Sequence, residues 1–566
     1  MASIIKKKIK GNTYYYAVQS GWKDGKSRII WQKYLGKADD IVKALSKDPV
    51  KPVEVICFEF GASATLYSIA NQLKLVETID RHTNKRKQGP SVGQYMLIAA
   101  INRAIAPTSK RQIGEWFSSS SLQNWLPVKP KHLSSQRFWD HMGYLDSEAI
   151  KAIEAELTAR MVKEFNLDLR CLVYDTTNFF TWIDTMNDSE LPQRGHNKAK
   201  RNDLKQVGLS MMVTTDFHIP LFHKVYPGNR TDSKQFGSVT EELVERLRLI
   251  KANCQDITLV YDKGNNSKKN QKQIDNSPFS FVGSLVPSQH PDLLAVPRCS
   301  FTPLQGANFG GVFAYRTRKM IMGVERTVVV TFNEALYLGQ LQGILLQLRK
   351  ANEALRELQK KLCNRANAGK KRGKPPTVAS VQNQVKKILT SSSAPLSKLI
   401  RTEVKEVDAN VQLEYSIDHD ALDNYKDNYL GKSILFTDRE DWSTEDIVSA
   451  YRGQSHIEDA FKRMKDPHFL SWSPQYHWTD QKIEVHAFYC VLALTLTTLA
   501  RRKAVLAGVD ISIPKMLEEL ANIKNVAHIY PKDSKQKDCL MLTKRNEIQQ
   551  KLMEIMEIEQ LHRDIC

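Results

Sequence analysis

The chain of 566 residues has no cysteine pair in a C-x-x-C spacing; its eight cysteines, Cys57, Cys171, Cys254, Cys299, Cys363, Cys490, Cys539 and Cys566, are scattered. That argues against a zinc finger and a disulfide framework, and favours a reducing cytosol. A long apolar run is missing too. The longest stretch, 487–500, has 14 residues with three threonines, short of the roughly 20 that a spanning helix needs, so it reads as a buried helix. The amino-terminal MASIIKKKIKG is basic but lacks the apolar core of a signal peptide. Acidic residues are scarce: 62 Asp and Glu face 82 Lys and Arg, a net charge of +20. Such an excess suits a polyanion, because neutralising phosphates releases counterions; ribosomal or membrane-surface partners fit the charge equally well.

What is present is globular in composition, 42% hydrophobic and 25% charged, and too long for one core. Residues 1–50 read as a β-hairpin module with a basic leader, Lys6, Lys7, Lys8 and Lys10, which is a DNA-backbone contact or a solvated arm. Residues 51–168 carry helical periodicity and are expected to form a helical DNA-binding domain. A mixed α/β order follows in 169–286 and resumes in 434–505. Between them, 287–433 reads as an insertion, with a hairpin near 310–332 and heptad-like leucines at Leu341, Leu345, Leu348, Leu355 and Leu362. Its basic tip is AGKKRGKPP, and 506–566 reads as a helical carboxyl-terminal region.

Two short runs carry the chemistry. RCLVYDTTNFF, 170–180, reads as a buried strand with Asp175 at its rim, since Leu172, Val173 and Tyr174 favour extended backbone. ITLVYDKGN, 257–265, repeats the design and puts Asp262 before a Gly-Asn turn. As parallel neighbours, these strands would bring the two carboxylates together as oxygen ligands for a hard divalent cation. Turn-forming aspartates are the other reading. Between them QRGHNKAKRNDLKQ gathers Arg194, Lys198, Lys200, Arg201 and Lys205 against one acid, Asp203. It is a DNA-backbone contact or a solvated loop.

The segment 443–465, STEDIVSAYRGQSHIEDAFKRMK, opens with a capping pattern at Ser443 and Asp446, lacks proline, and reads as one helix. At about 100° per residue, Tyr451, Gln454, Glu458, Lys462 and Lys465 share a sector of about 80°. A carboxylate flanked by lysines and a tyrosine looks like a metal ligand beside phosphate holders.

The blocks VYDTTNFF, HNKAKRNDLKQV, PLFHKVYPGNRTDS, VYDKGN and YRGQSHIEDAFKRMK, in this order, resemble the DDE transposases of bacterial insertion sequences. More narrowly they resemble the insertion-sequence-4 superfamily and its branch typified by insertion sequence 1634. That superfamily's motif is tyrosine, two residues, arginine, three residues, glutamate, six residues, lysine. Tyr451, Glu458 and Lys465 match it, and Gln454 stands at the arginine position. Arg452 points about 120° away from Glu458 on a helix.

The resemblance implies an RNase H-like mixed-sheet core interrupted by an α+β insertion, preceded by the β-hairpin and the helical domain. It implies Asp175, Asp262 and Glu458 as catalytic residues and ligands of two Mg²⁺ ions, for which Mn²⁺ can substitute. DNA contacts then fall to Tyr451, Lys462, Lys465 and Arg452, with Arg194, Lys198, Arg201 and Lys205 from the basic cluster. The implied activity is cut-and-paste transposition: binding of the element's terminal inverted repeats, strand cleavage and strand transfer. Its partners are double-stranded transposon-end and target DNA, bridged by a homodimer in the bacterial cytosol at the nucleoid, with no membrane. A catalytically silent DNA-binding derivative and a metal-dependent nuclease without strand transfer are the alternatives. In relatives a tryptophan of the insertion assists a hairpin intermediate; none of the nine tryptophans here falls in 287–433. Tyr315 or Phe313 would stack a base instead, or belong to the core.

Overall fold

A computed structural model describes residues 2–23, 26–45, 51–86, 88–183, 189–197, 201–249, 256–367, 374–392, 394–408, 410–473, 475–534 and 536–565. Lys198, Lys200 and the basic tip at 370–373 lie outside the described residues. The chain divides into two compact units, one made of 1–65, 118–125 and 517–566, the other of 66–117 and 126–516.

In the first unit, β1 (Ala2–Ile9), β2 (Asn12–Lys23) and β3 (Lys26–Gly36) form an antiparallel sheet, followed by α1 (Ala38–Leu45). The sequence suggested a hairpin behind a basic leader. The leader is itself a strand, in which Lys6, Lys7 and Lys8 pair with Tyr15, Tyr14 and Thr13. Gly11 takes a φ of 81° at the β1–β2 turn, where a side chain would be strained. A second sheet joins distant parts of the chain: Lys524–Ile529 lies between Cys539–Leu542 and Glu54–Glu59. The carboxyl-terminal region is therefore not wholly helical, and the helical stretch after residue 51 opens with a strand.

The second unit is built on a nine-stranded sheet. Its strands are β4 (Cys171–Phe180), β5 (Gln206–Thr214), β6 (Pro220–Pro227), β7 (Thr258–Tyr261), β8 (Ser280–Leu285), β9 (Thr302–Pro303), β10 (Val312–Ile321), β11 (Val324–Asn333) and β12 (Lys432–Thr437). Their order is β9-β10-β11-β12-β8-β7-β4-β5-β6. The pairs β4/β7 and β7/β8 are parallel and the others antiparallel. This is a mixed α/β protein with a large mixed sheet. Every residue of β5 is buried, as expected of a central strand covered on both faces. The hairpin that the sequence placed in the insertion is hydrogen-bonded into this sheet through β11 and β12.

Six helices of this unit matter below: α2 (Val92–Ile105), α3 (Ser147–Phe165), α4 (Asp232–Leu249), α5 (Glu334–Asn367), α6 (Val378–Leu389) and α9 (Asp480–Leu506), with α7 and α8 described at the site. Phe236 of α4 packs its ring 5.1 Å from Tyr174 and 5.0 Å from Tyr261, which places α4 on one face of the sheet. Among the described residues α9 alone is long and apolar enough to cross a membrane, but 94% of its apolar window is buried. It packs against α2, α3 and β6. Helices α5 and α6 and the ribbon of Ile400–Val407 with Asn410–Ile417 close on a core of their own, including Leu348, Leu355, Leu362, Val381 and Leu413. Of the heptad-spaced leucines, Leu345 points outward, 47% exposed.

A buried ion network ties two helices to the sheet edge. Glu154 of α3 takes the His223 ring of β6 on one carboxylate oxygen and the Arg246 guanidinium of α4 on the other. Arg246 also reaches Glu242 at 2.6 Å. Burial alone would raise the Glu154 carboxyl, but the adjoining His223 and Arg246 charges outweigh it and hold it below its ordinary value. Removing one partner strands the others in low dielectric. Arg246→Met is expected to lower the unfolding free energy by about 3–5 kcal/mol near neutral pH. Because the Glu154 pKa is depressed on folding, its contribution is complete above the unfolded carboxyl's value of about 4.3. It fades as pH falls through the native value, so urea denaturation should show the gap between variant and native narrowing below about pH 4.

Candidate functional site

The site begins with a register. β4 and β7 run parallel with Cys171 opposite Thr258, Leu172 opposite Leu259 and Val173 opposite Val260. Two residues beyond the last pair stand Asp175 and Asp262, Asp262 just past the carboxyl end of β7, on the side where open α/β sheets bind ligands. Asp262 follows the end of β7 as the sequence suggested. Asp175 is not at a strand end: β4 continues to Phe180, because β5 keeps pairing with it from Asp175↔Met211 to Phe180↔Gln206. Its exposure comes from the neighbour instead, since β7 stops at Tyr261 and leaves that side of β4 open. Both carboxylates are half-buried, and Asp175 accepts the Thr176 backbone N–H at 2.8 Å.

The expected single helix over 443–465 is two, α7 (Thr444–Arg452) and α8 (Gln454–Met464), interrupted at Gly453. Ser443 caps α7 by accepting the Asp446 N–H. A Cβ at Gly453 would stand 3.1 Å from the Ala450 carbonyl and 3.7 Å from Val173, so the break lies close over β4. It lies on the face shared by Val173, Asp175, Thr177 and Phe179, because strand side chains alternate. The break also ends the simple helical count from Tyr451 to Lys465.

Each helix nevertheless reaches a carboxylate strand. The Tyr451 hydroxyl donates to Asp262 Oδ1 at 3.1 Å and stands 2.8 Å from Ser284 Oγ. Ser284, on β8, also donates to Asp262 at 3.3 Å. At the far end Lys465 Nζ donates to Thr177 Oγ1 at 2.7 Å and lies 5.3 Å from the Phe179 ring centroid. Phe179 in turn stacks on Trp472, with centroids 4.3 Å apart and planes 12° apart. Burial first, and the Asp262 charge second, raise the Tyr451 phenol above its ordinary value, so it stays a neutral hydrogen-bond donor at physiological pH.

Glu458 is exposed and lines a cavity of about 380 Å³ with Asp262, Lys263, Tyr451, Arg452 and Gln454. Among the described residues no three His, Cys, Asp or Glu side chains stand close enough to hold a metal ion. Glu458 therefore shares a cavity with Asp262 without closing on Asp175 and Asp262. The carboxylate donors are of the type that suits a hard cation, but Glu458 does not join Asp175 and Asp262 in one metal-holding group.

The remaining expected contacts divide. Lys462 pairs with Asp459 at 3.0 Å. Arg452 donates to the Asn308 carbonyl at 2.5 Å, and its guanidinium lies 5.0 Å from the Phe309 ring centroid. In the basic cluster Arg194 is exposed, Lys205 half-buried, and Lys198 outside the described residues. Arg201 is ion-paired with Asp203 at 2.7 Å, and its hydrogen bonds hold that carboxyl down to about 2.

Sequence reasoning missed Ser284 and Thr177. Thr177 had a signal, two residues on from Asp175 and so on the same strand face; Ser284 sits in the apolar FVGSLV without one. It also missed a recess of about 320 Å³ where Lys110 and Arg111 meet Trp139, Tyr476 and Trp478.

The molecule thus defines a class: an α/β protein with a carboxylate on each of two neighbouring parallel segments, Asp175 and Asp262, and a tyrosine and a lysine brought over the same strands by helices. The Transposase DDE domain family matches residues 181–496, more than half of the chain, and the chain belongs to that family. Its domain implies a polynucleotidyl transferase acting in DNA transposition. The matched span includes Asp262 and Glu458, and Asp175 lies just before it. No curated protein matches the chain. A solved piggyBac transposase synaptic complex with hairpin DNA is similar over 88% of this chain and 84% of that one, at 8% identity and a TM-score of 0.38. An overlap of that quality assigns no residue a role.

Because the Tyr451 phenol is raised, it contributes no phenolate in the ordinary tyrosine range. Ultraviolet titration of the native chain and of Tyr451→Phe should give curves that coincide up to about pH 10. An ionisation below pH 10 that is missing from the variant would contradict the buried, carboxylate-bound phenol.

Proposed function

We propose that the chain is the transposase of its own insertion sequence, binding the terminal inverted repeats as a dimer and carrying out metal-dependent strand cleavage and strand transfer on an RNase H-like core. The observation that carries this reading is that Asp175 and Asp262 each stand two residues past the last paired residues of adjacent parallel strands, Val173 and Val260, with Tyr451 hydrogen-bonded to Asp262 and Lys465 to Thr177. Family membership supports it independently.

In this reading Asp175 and Asp262 would hold divalent cations, Mg²⁺ or Mn²⁺, and Glu458 would have to close from the cavity wall to join them. Bound ions of this kind stabilise charge on the attacking and leaving oxygens of an in-line displacement at phosphorus. The chain's other groups bind and orient. Lys465, at the exposed end of α8, offers its ammonium to a phosphate oxygen of the transposon end. Tyr451 and Ser284 hold the Asp262 carboxylate in one orientation, and the neutral phenol is a positioning donor rather than a base. Lys462 and the cluster of Arg194, Lys198, Arg201 and Lys205 contribute charge along the DNA backbone. In each chemical step one P–O bond forms from water or a 3′-hydroxyl while the opposite P–O bond breaks.

One observation favours a second reading, a DNA-binding derivative that does not cut: Glu458 stands apart from a metal-holding group with the two aspartates. A single assay separates the readings, using labelled end DNA, a target plasmid and Mg²⁺. Asp175→Ala is expected to lower end cleavage by at least about 10²–10³-fold, the scale of losing one transition-state electrostatic contact, with end binding changed by less than about twofold. Cleavage unchanged in the variant would overturn the assignment. Binding without cleavage by the native chain selects the silent derivative, and cleavage without joined products selects a nuclease.

A further inference from the structure

The first 37 residues hold nine Lys and Arg against one Asp, a net +8 out of the chain's +20. They fold as the sheet β1–β3, whose two faces differ. On one face Tyr34 packs its ring 6.0 Å from Tyr14 and 5.2 Å from Tyr16. There Lys7 lies over the Tyr16 ring at 4.8 Å and donates to Gln32 at 3.2 Å. The same face holds Val18, 2% exposed, and α1 packs on β2 and β3. On this face Lys7 is engaged with Gln32 and Tyr16.

The opposite face follows from the register. Ile4, Lys6 and Lys8 alternate along β1, Lys6 pairs with Tyr15 and Ile4 with Ala17, and Ala17 and Gln19 pair with Lys33 and Trp31. Ile4, Lys6, Lys8, Gln19, Trp31 and Lys33 are all exposed, Ile4 at 65% and Trp31 at 50%. Cations, an amide and flat apolar groups thus share one open surface. The axes of three strands about 4.8 Å apart lie about 10 Å across, a width comparable to that of a major groove, about 12 Å, which admits a two-stranded ribbon. Sheets are among the elements that read that groove.

We propose that this open face of β1–β3 seats in the major groove of duplex DNA and is a sequence-reading surface of the protein. Lys6, Lys8 and Lys33 meet phosphates along the groove walls. Gln19 offers donor and acceptor to base edges, and Trp31 and Ile4 present apolar surface to thymine methyls. The assignment rests on the DNA-binding reading above and goes beyond it, moving recognition from the helices after residue 51 to the amino-terminal sheet.

The test uses the full chain, a duplex carrying the element's terminal repeat, a scrambled duplex and a single strand, with anisotropy read across a salt series. Methylation interference at guanine N7 reports the major groove. Lys6→Ala with Lys33→Ala is expected to weaken repeat binding about tenfold near 0.15 M salt. It should also make the log K against log salt slope shallower by about 2, near 0.9 per lost phosphate contact. Trp31→Ala should shrink the preference for repeat over scrambled duplex about tenfold, while Lys43→Ala on α1 leaves both unchanged. Native slopes and preference in the sheet variants, or interference confined to the minor groove, would overturn the proposal. So would binding of the single strand as tight as that of the duplex. If those variants behave natively while cleavage remains Asp175-dependent, only this inference fails. If the native chain binds no DNA, the functional reading fails with it.

Discussion

The parallel pairing of β4 with β7 is the constraint on which the candidate site depends. Three residue pairs fix it, and they align apolar side chains, Leu172 with Leu259 and Val173 with Val260. A slip of one residue would turn every side chain of one strand to the other face of the sheet. Leu172, Tyr174, Leu259 and Tyr261, all buried, would then lose their places, so the hydrophobic core enforces a register whose product is polar. The carboxylates themselves contribute nothing to holding it.

The two faces of the same strands divide the work. Tyr174 and Tyr261 anchor α4 through Phe236, while Asp175 and Thr177 look toward α7 and α8. The helices on that side are seated by buried Ile447, Val448, Ile457, Phe461 and Met464, and hydrogen bonds from Tyr451 and Lys465 tie them to the carboxylate strands. The two hydrogen bonds suit a site that must admit a charged strand, since water and phosphate can replace such contacts at small net cost.

Much of this was legible beforehand. The β-rich runs around Asp175 and Asp262 were visible because strand formers cluster there and end in polar turns. The helical character of 51–168 followed from apolar spacing, and α2 and α3 lie within it. Three things were hidden for physical reasons. The break at Gly453 was missed because glycine in a helical pattern is ordinarily tolerated. The strand through Lys6, Lys7 and Lys8 was masked by its charge, since exposed edge strands carry lysine where a core strand carries valine. Ser284 could not be found at all, because its importance lies wholly in what β8 places beside it.

The pairing of Glu54–Glu59 with Lys524–Ile529 has a consequence for synthesis. The early strand emerges from the ribosome some 465 residues before its partner, from 59 to 524, and until then it is an unguarded edge. The first unit cannot finish folding on a growing chain, whereas most of the second can. A product ending before residue 524 would carry the sheet with the paired aspartates and leave a strand-hungry edge behind, so incomplete copies are the ones primed to aggregate.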